Sequence, residues 1–90
     1  MEDRQGFFLK EKPVRALITI RKNRDDVYGS IISRKIDTTY AHTIKILAEM
    51  EEQNMIKSEK KGRKKILKLT EEGEECADMF IELMDKLNQK

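Results

Sequence analysis

Between Tyr28 and Met50 the apolar residues keep a helical period on both sides of a three-residue polar break, and two helices joined that closely have few ways to pack. Upstream, Tyr28, Ile31, Ile32 and Ile36 share one stripe, which predicts a short helix over residues 27–36 with Asp25 or Asp26 offering its N-cap. Downstream, Ile44, Leu47 and Met50 recur at helical intervals and predict a helix over 39–53 with those three residues facing the core. The break itself, Asp37-Thr38-Thr39, has capping chemistry. Asn54 tolerates the left-handed conformation of a helix C-cap and ends the second helix.

Before this pair, Pro13 suits the first turn of a helix, and Val14, Leu17 and Ile18 follow at helical spacing, giving a helix over 13–23. After it the period changes. Two short segments, 56–60 and 65–69, flank the run KKGRKK, and a glycine between them makes a β-hairpin the simplest reading. Thr70 then caps a last helix over 70–88. Its first turns hold Glu71, Glu72, Glu74 and Glu75, the charge that the N-terminal end of a helix favours, and its apolar stripe is Cys76, Phe80, Leu83, Met84 and Leu87.

A chain of 90 residues supports one hydrophobic core, so residues 1–90 are read as a single domain. Cys76 and His42, the only residues of their kinds, exclude a disulfide framework and a zinc site built on several cysteines; no metal or cofactor is expected. With no phosphate-binding glycine loop and no nucleophile beside a base, an enzyme is not expected either. No apolar run of 18 residues occurs, and MEDRQGFF lacks the apolar centre of a signal peptide, so the expected location is the cytoplasm, away from membranes. The net charge of +2 hides an asymmetry. Seven acids against two lysines follow from Glu71 onward, so the part before it is strongly basic and the two ends should do different work.

Three helices followed by a charged hairpin is the order of a winged helix-turn-helix domain. The expected fold is therefore α+β but mostly α: a three-helix core with the helix-turn-helix at 27–53, a hairpin wing at 56–69, and a C-terminal helix at 70–88. The run YGSIISRKIDTTYAHTIKILAEMEEQNMI, the basic hairpin and LKLTEEGEE resemble small archaeal winged-helix transcriptional regulators of the broad MarR and PadR-like type, over about residues 13 to 88. The ending LAEMEEQNMI and the LTEEG after the wing are the most specific parts. Asn54 stands where such proteins usually have glycine and Met50 where they have leucine; both keep the local requirement, of backbone and of volume.

The resemblance implies that the helix at 39–53 enters the major groove of double-stranded DNA and that the wing lies along the backbone or reaches the minor groove. On this chain it offers Thr38, Thr39, Ala41, His42 and Lys45 to DNA, with Tyr40 turned either to DNA or to the core. The wing offers Lys60, Lys61, Arg63, Lys64 and Lys65, and Arg34 and Lys35 are weaker candidates for phosphate. Fewer cations would suffice to keep a hairpin edge from pairing with another sheet. The helix at 70–88 exceeds what a small core needs and is expected to pair with its counterpart in a homodimer through Cys76, Phe80, Leu83, Met84 and Leu87; the alternative is that it folds back on the helix at 13–23. A small-molecule effector is not expected. Two other readings stay open: a chromatin-like protein that binds DNA or RNA without sequence choice, and a winged helix used to contact proteins.

Overall fold

A computed structural model gives the fold of residues 4–23 and 26–89. Its elements run α1 (Arg4–Phe8), α2 (Glu11–Lys22), α3 (Gly29–Lys35), α4 (Tyr40–Glu52), β1 (Ile56–Lys61), β2 (Lys64–Leu69) and α5 (Glu71–Leu87). Helix α2 begins two residues before Pro13. The proline still sits in the first turn, where its missing N–H removes no helical hydrogen bond, and α2 buries Pro13, Val14, Ala16, Leu17 and Ile20. Helix α1 has no counterpart in the sequence reading, because five residues are too few to show a period. It nevertheless sends Phe8 into the core, with the Phe7 ring edge-on at 4.8 Å.

Helix α3 is shorter than the stripe predicts, and Asp26 does not cap it. Asp25 lies outside the described residues, and the N-cap is Tyr28, in extended backbone and without a side-chain bond. The cause is in the wing: Val27 forms an antiparallel bridge to Leu67, whose N–H donates to Val27 O at 2.8 Å, so the chain stays extended until residue 28. Asp26 is thereby carried to Lys61, at 2.9 Å.

Thr39 caps α4, its hydroxyl accepting from the His42 N–H at 3.1 Å. After the C-cap Gln53, Asn54 takes φ 63°, the left-handed turn expected of it. The buried face of α4 corrects the sequence reading: Leu47 and Met50 are in the core, but Ile44 is 42% exposed. The core places are filled instead by Thr43 and Ile46, which complete an i, i+3, i+4, i+7 stripe with Leu47 and Met50. Thr43 can be fully buried because its hydroxyl donates to Thr39 O at 2.9 Å.

Strands β1 and β2 pair antiparallel from Ile56 opposite Leu69 to Lys61 opposite Lys64, leaving Gly62 and Arg63 as a two-residue turn. Gly62 has φ +64°, at the turn position where a side chain would be strained. Thr70 then ties the last helix to the root of the hairpin. Its hydroxyl accepts from Gly73 N–H at 3.0 Å and donates to Asn54 O at 2.7 Å. Gly73 is buried so tightly that a Cβ there would overlap Met55 O.

Helix α5 has two unlike halves. The first folds back on α2, with Ala77 buried, Cys76 and Phe80 partly buried against the core, and Asp78 gripping Arg21 through bonds of 2.8 and 3.3 Å. The second leaves Leu83, Met84 and Leu87 exposed, and Met79 is 69% exposed beside them. Among the described residues no helix is long and apolar enough to cross a membrane.

Candidate nucleic-acid interface

The N-terminal half of α4 is presented on the surface, flanked by a hollow on each side. Toward the wing, a groove of about 320 Å³ is bordered by Tyr28, Tyr40, Ile44, Arg63, Lys64 and Lys65, among others. Toward α1 and α2, a second hollow of about 310 Å³ is bordered by Phe7, Pro13, His42, Lys45 and Ile46. Ala41 is exposed on the ridge between them, opposite the buried stripe. The predicted residues of α4 therefore divide: Tyr40 belongs with the wing side, His42 and Lys45 with the opposite side. Tyr40 is 58% exposed, which settles its two-way assignment in favour of the surface.

Thr38 and Thr39 precede the helix and do structural work as well. Thr38 is half-buried, with its N–H donating to Ser33 O at 3.1 Å, and the Thr39 hydroxyl is engaged in the cap. Ile44 and Ala48 are surface residues of the same helix that the sequence reading missed. The signal was present in Thr43, a β-branched residue at a core interval; counted as core, it rotates the stripe and puts Ile44 outside.

In the wing the register places Lys60 opposite Lys65, Lys61 opposite Lys64 and Lys57 opposite Lys68, so like charges face each other along the hairpin. Some are relieved by neighbours. Lys61 meets Asp26 at 2.9 Å, Lys68 meets Glu59 at 2.8 Å, and Lys65 reaches Glu51 at 4.0 Å. The hydrogen bond and charge of Lys61 hold the Asp26 carboxyl below the ordinary carboxylate range, and Lys68 does the same to Glu59. Lys64 lies 4.6 Å from the centroid of the Tyr28 ring, a cation–π contact that joins the wing to the start of α3. Among the described residues Lys60 and Arg63 have no side-chain partner, and both are exposed. Arg34 and Lys35 are exposed at the end of α3. Glu51 and Glu52 lie exposed at the far end of α4, and its one lysine, Lys45, lies in its first half. Among the described residues no group of three or more histidine, cysteine or acidic side chains is placed to hold a metal ion.

The sequence profile of the DUF6293 C-terminal winged helix domain matches residues 33–81, from the end of α3 through the wing into α5. The chain belongs to that family. This member of the DUF6293 winged-helix family is 33% identical over 89 residues to an uncharacterized protein of Archaeoglobus fulgidus, covering 94% of each chain. It is also similar to the crystal structure of AF1382 from Archaeoglobus fulgidus, with a TM-score of 0.85 and 28% identity over 98% of this chain and 100% of that one. A likeness of fold extends to MepR, a transcription regulator of the Staphylococcus aureus multidrug efflux pump MepA (TM-score 0.80, 18% identity, 94% of this chain and 67% of that one). A structure of MepR with DNA gives 0.78 at 18% identity, over 94% and 72%. The winged-helix resemblance and the α-rich fold with a hairpin wing, both expected from the sequence, are borne out.

Proposed function

We propose that this winged-helix domain is a DNA-binding transcriptional regulator of the cytoplasm that acts as a homodimer, without a small-molecule effector. The observation that carries the reading is the groove in which Tyr40 and Ile44 of α4 stand across from Arg63 and Lys64 of the wing. A helix with small and apolar exposed residues can approach base edges closely, Ala41 and Ile44 packing on thymine methyl groups, while Lys45 and His42 reach bases or phosphates from the other flank. The wing supplies phosphate neutralisation, foremost through Lys60 and Arg63, whose charges are free; Arg63 at the turn is placed for a narrow minor groove. Arg34 and Lys35 add backbone contacts at the margin. That MepR has been crystallised with DNA supports the same use of the shared fold.

The dimer reading rests on the outer half of α5. Leu83, Met84 and Leu87 exceed what the core uses, and pairing them with a second copy would present two copies of α4 to a two-fold site. Cys76 and Phe80 contribute less, since both already pack on the core.

Fluorescence anisotropy on a selected duplex and on random duplex, over a salt series, tests the reading. The expected result is a steep salt slope and a selected site bound at least about 10³-fold more tightly than random DNA. Equal affinities would make the protein architectural, and no binding at low salt would turn the wing toward a protein partner. Sedimentation at micromolar concentration should give the mass of two chains, and that of one for Leu83→Glu/Leu87→Glu.

A further inference from the structure

The turn of the helix-turn-helix ends α3 with three consecutive carbonyls, those of Lys35, Ile36 and Asp37, that accept no backbone hydrogen bond among the described residues. Asp37 has φ 54°, and the Thr38 N–H returns to Ser33 O at 3.1 Å, which closes α3 in a left-handed cap and leaves those oxygens pointing away from the helix. Each is met by a cation from α2. The Lys12 ammonium donates to Ile36 O at 2.8 Å and to Asp37 O at 3.1 Å, and the Arg15 guanidinium donates to Lys35 O at 3.3 Å. Lys12 is half-buried, its stem lying along the protein with its charge on the turn. A cation at the C-terminal end of a helix also meets the negative end of the helix dipole.

We infer that Lys12 and Arg15 are positioning residues for DNA readout: they fix the turn that aims α4 and make no contact with DNA themselves. The inference rests on the DNA-binding reading above. The path from these cations to the reading surface is short, since Asp37 is followed by Thr38 and then by Thr39, whose hydroxyl and carbonyl cap α4 through His42 N–H and Thr43 N–H. Freed of Lys12, the left-handed Asp37 would have neighbouring carbonyls satisfied only by mobile water, and α4 would sample more orientations. Discrimination between base sequences depends on contacts held to fractions of an ångström, whereas phosphate attraction tolerates such motion. Loss of these cations should therefore lower specificity and leave the electrostatic part of binding in place.

The test uses the full chain with Lys12→Met, which keeps the stem and removes the charge, together with Lys12→Arg and Arg15→Gln. In the free protein, Lys12→Met should speed amide exchange at Thr38, His42 and Thr43 by roughly tenfold while amides in the middle of α2 and α5 keep their wild-type protection, and Lys12→Arg should restore it. With DNA, the ratio of selected-site to random-duplex affinity should fall about tenfold for Lys12→Met and by less for Arg15→Gln, with the salt slope unchanged. Wild-type exchange at the turn in both Lys12→Met and Arg15→Gln would overturn the inference. So would a salt slope reduced by about 0.9 with both duplexes weakened alike, because that would make Lys12 a phosphate contact. Should the wild-type protein bind no duplex, the DNA-binding reading fails and readout positioning fails with it, while the exchange result still shows whether the cations hold the turn.

Discussion

The molecule uses its cations in two opposite ways. In the wing, lysines are crowded against one another across the hairpin, held by exposed bridges and by the Lys64–Tyr28 contact, and among the described residues Lys60 and Arg63 are left to solvent. At the helix-turn-helix corner, Lys12 and Arg15 instead donate to backbone oxygens of the turn. The difference teaches that charge density alone does not mark a contact surface. A cation whose donors are already engaged stabilises geometry, and one with free donors has its binding capacity in reserve.

Removing three wing cations, Lys60→Ala/Arg63→Ala/Lys64→Ala, is expected to have the largest effect: the salt slope should drop by about 0.9 for each phosphate left without its cation, and affinity for random duplex should fall on the order of 10²-fold. Melting temperature should hold or rise in the same variant, because two like-charge pairs across the hairpin, Lys60 with Lys65 and Lys61 with Lys64, are relieved. Lys12→Met should show the reverse signature, weaker discrimination at an unchanged salt slope, and a matching signature for both variants would erase the distinction between the two groups. Thr39→Ala attacks the other side of the same turn. Loss of the cap should cost about 1 kcal/mol, a fall in melting temperature of several degrees for a domain of this size, readable by calorimetry. Asp26→Asn releases Lys61 from its bridge and should raise random-duplex affinity about twofold, within the range an exposed ion pair allows. The smallest effect is that of pH. Asp26, Glu59 and Asp78 are held below the ordinary carboxylate range by hydrogen bonds from Lys61, Lys68 and Arg21. Carboxyls depressed in the folded state stabilise it above the unfolded value and lose that contribution as pH falls through the folded one. The urea midpoint should be flat from pH 8 to about pH 5 and decline only below about pH 4, less so in Asp78→Asn.

Much of the architecture was legible because its signals are local. The polar break with Thr39, the change of period at Ile56, the glycine of the turn and the Thr70 cap each report on a few neighbouring residues, and each element stands where they put it. What was not legible depends on distant partners. The start of α3 is set by a bridge to Leu67, forty positions away, which no cap at Asp25 or Asp26 could announce. Ile44 was misplaced because an apolar residue was preferred to Thr43 for the core, although a β-branched hydroxyl that can bond its own helix backbone is well suited to burial. On the candidate surface, Tyr40, Ala41, His42, Lys45 and the wing cations could be named in advance, but exposed Ile44 and Ala48 and the division of the helix between two hollows could not. The roles of Lys12 and Arg15 carried no local mark, since a carbonyl awaiting a partner is invisible until the chain is folded.

The fit of Gly73 against the Met55 carbonyl makes the root of the hairpin and the first turn of α5 a single stiff joint. Helix α5 has 17 residues and so extends about 25 Å from that joint. In a pair held by the outer halves of α5, a tilt of about 8° at one end displaces the other by about 3.5 Å, close to the rise of one base pair. Such a pair would work as a caliper, with its opening set by the helix angle and its jaws by the two copies of α4.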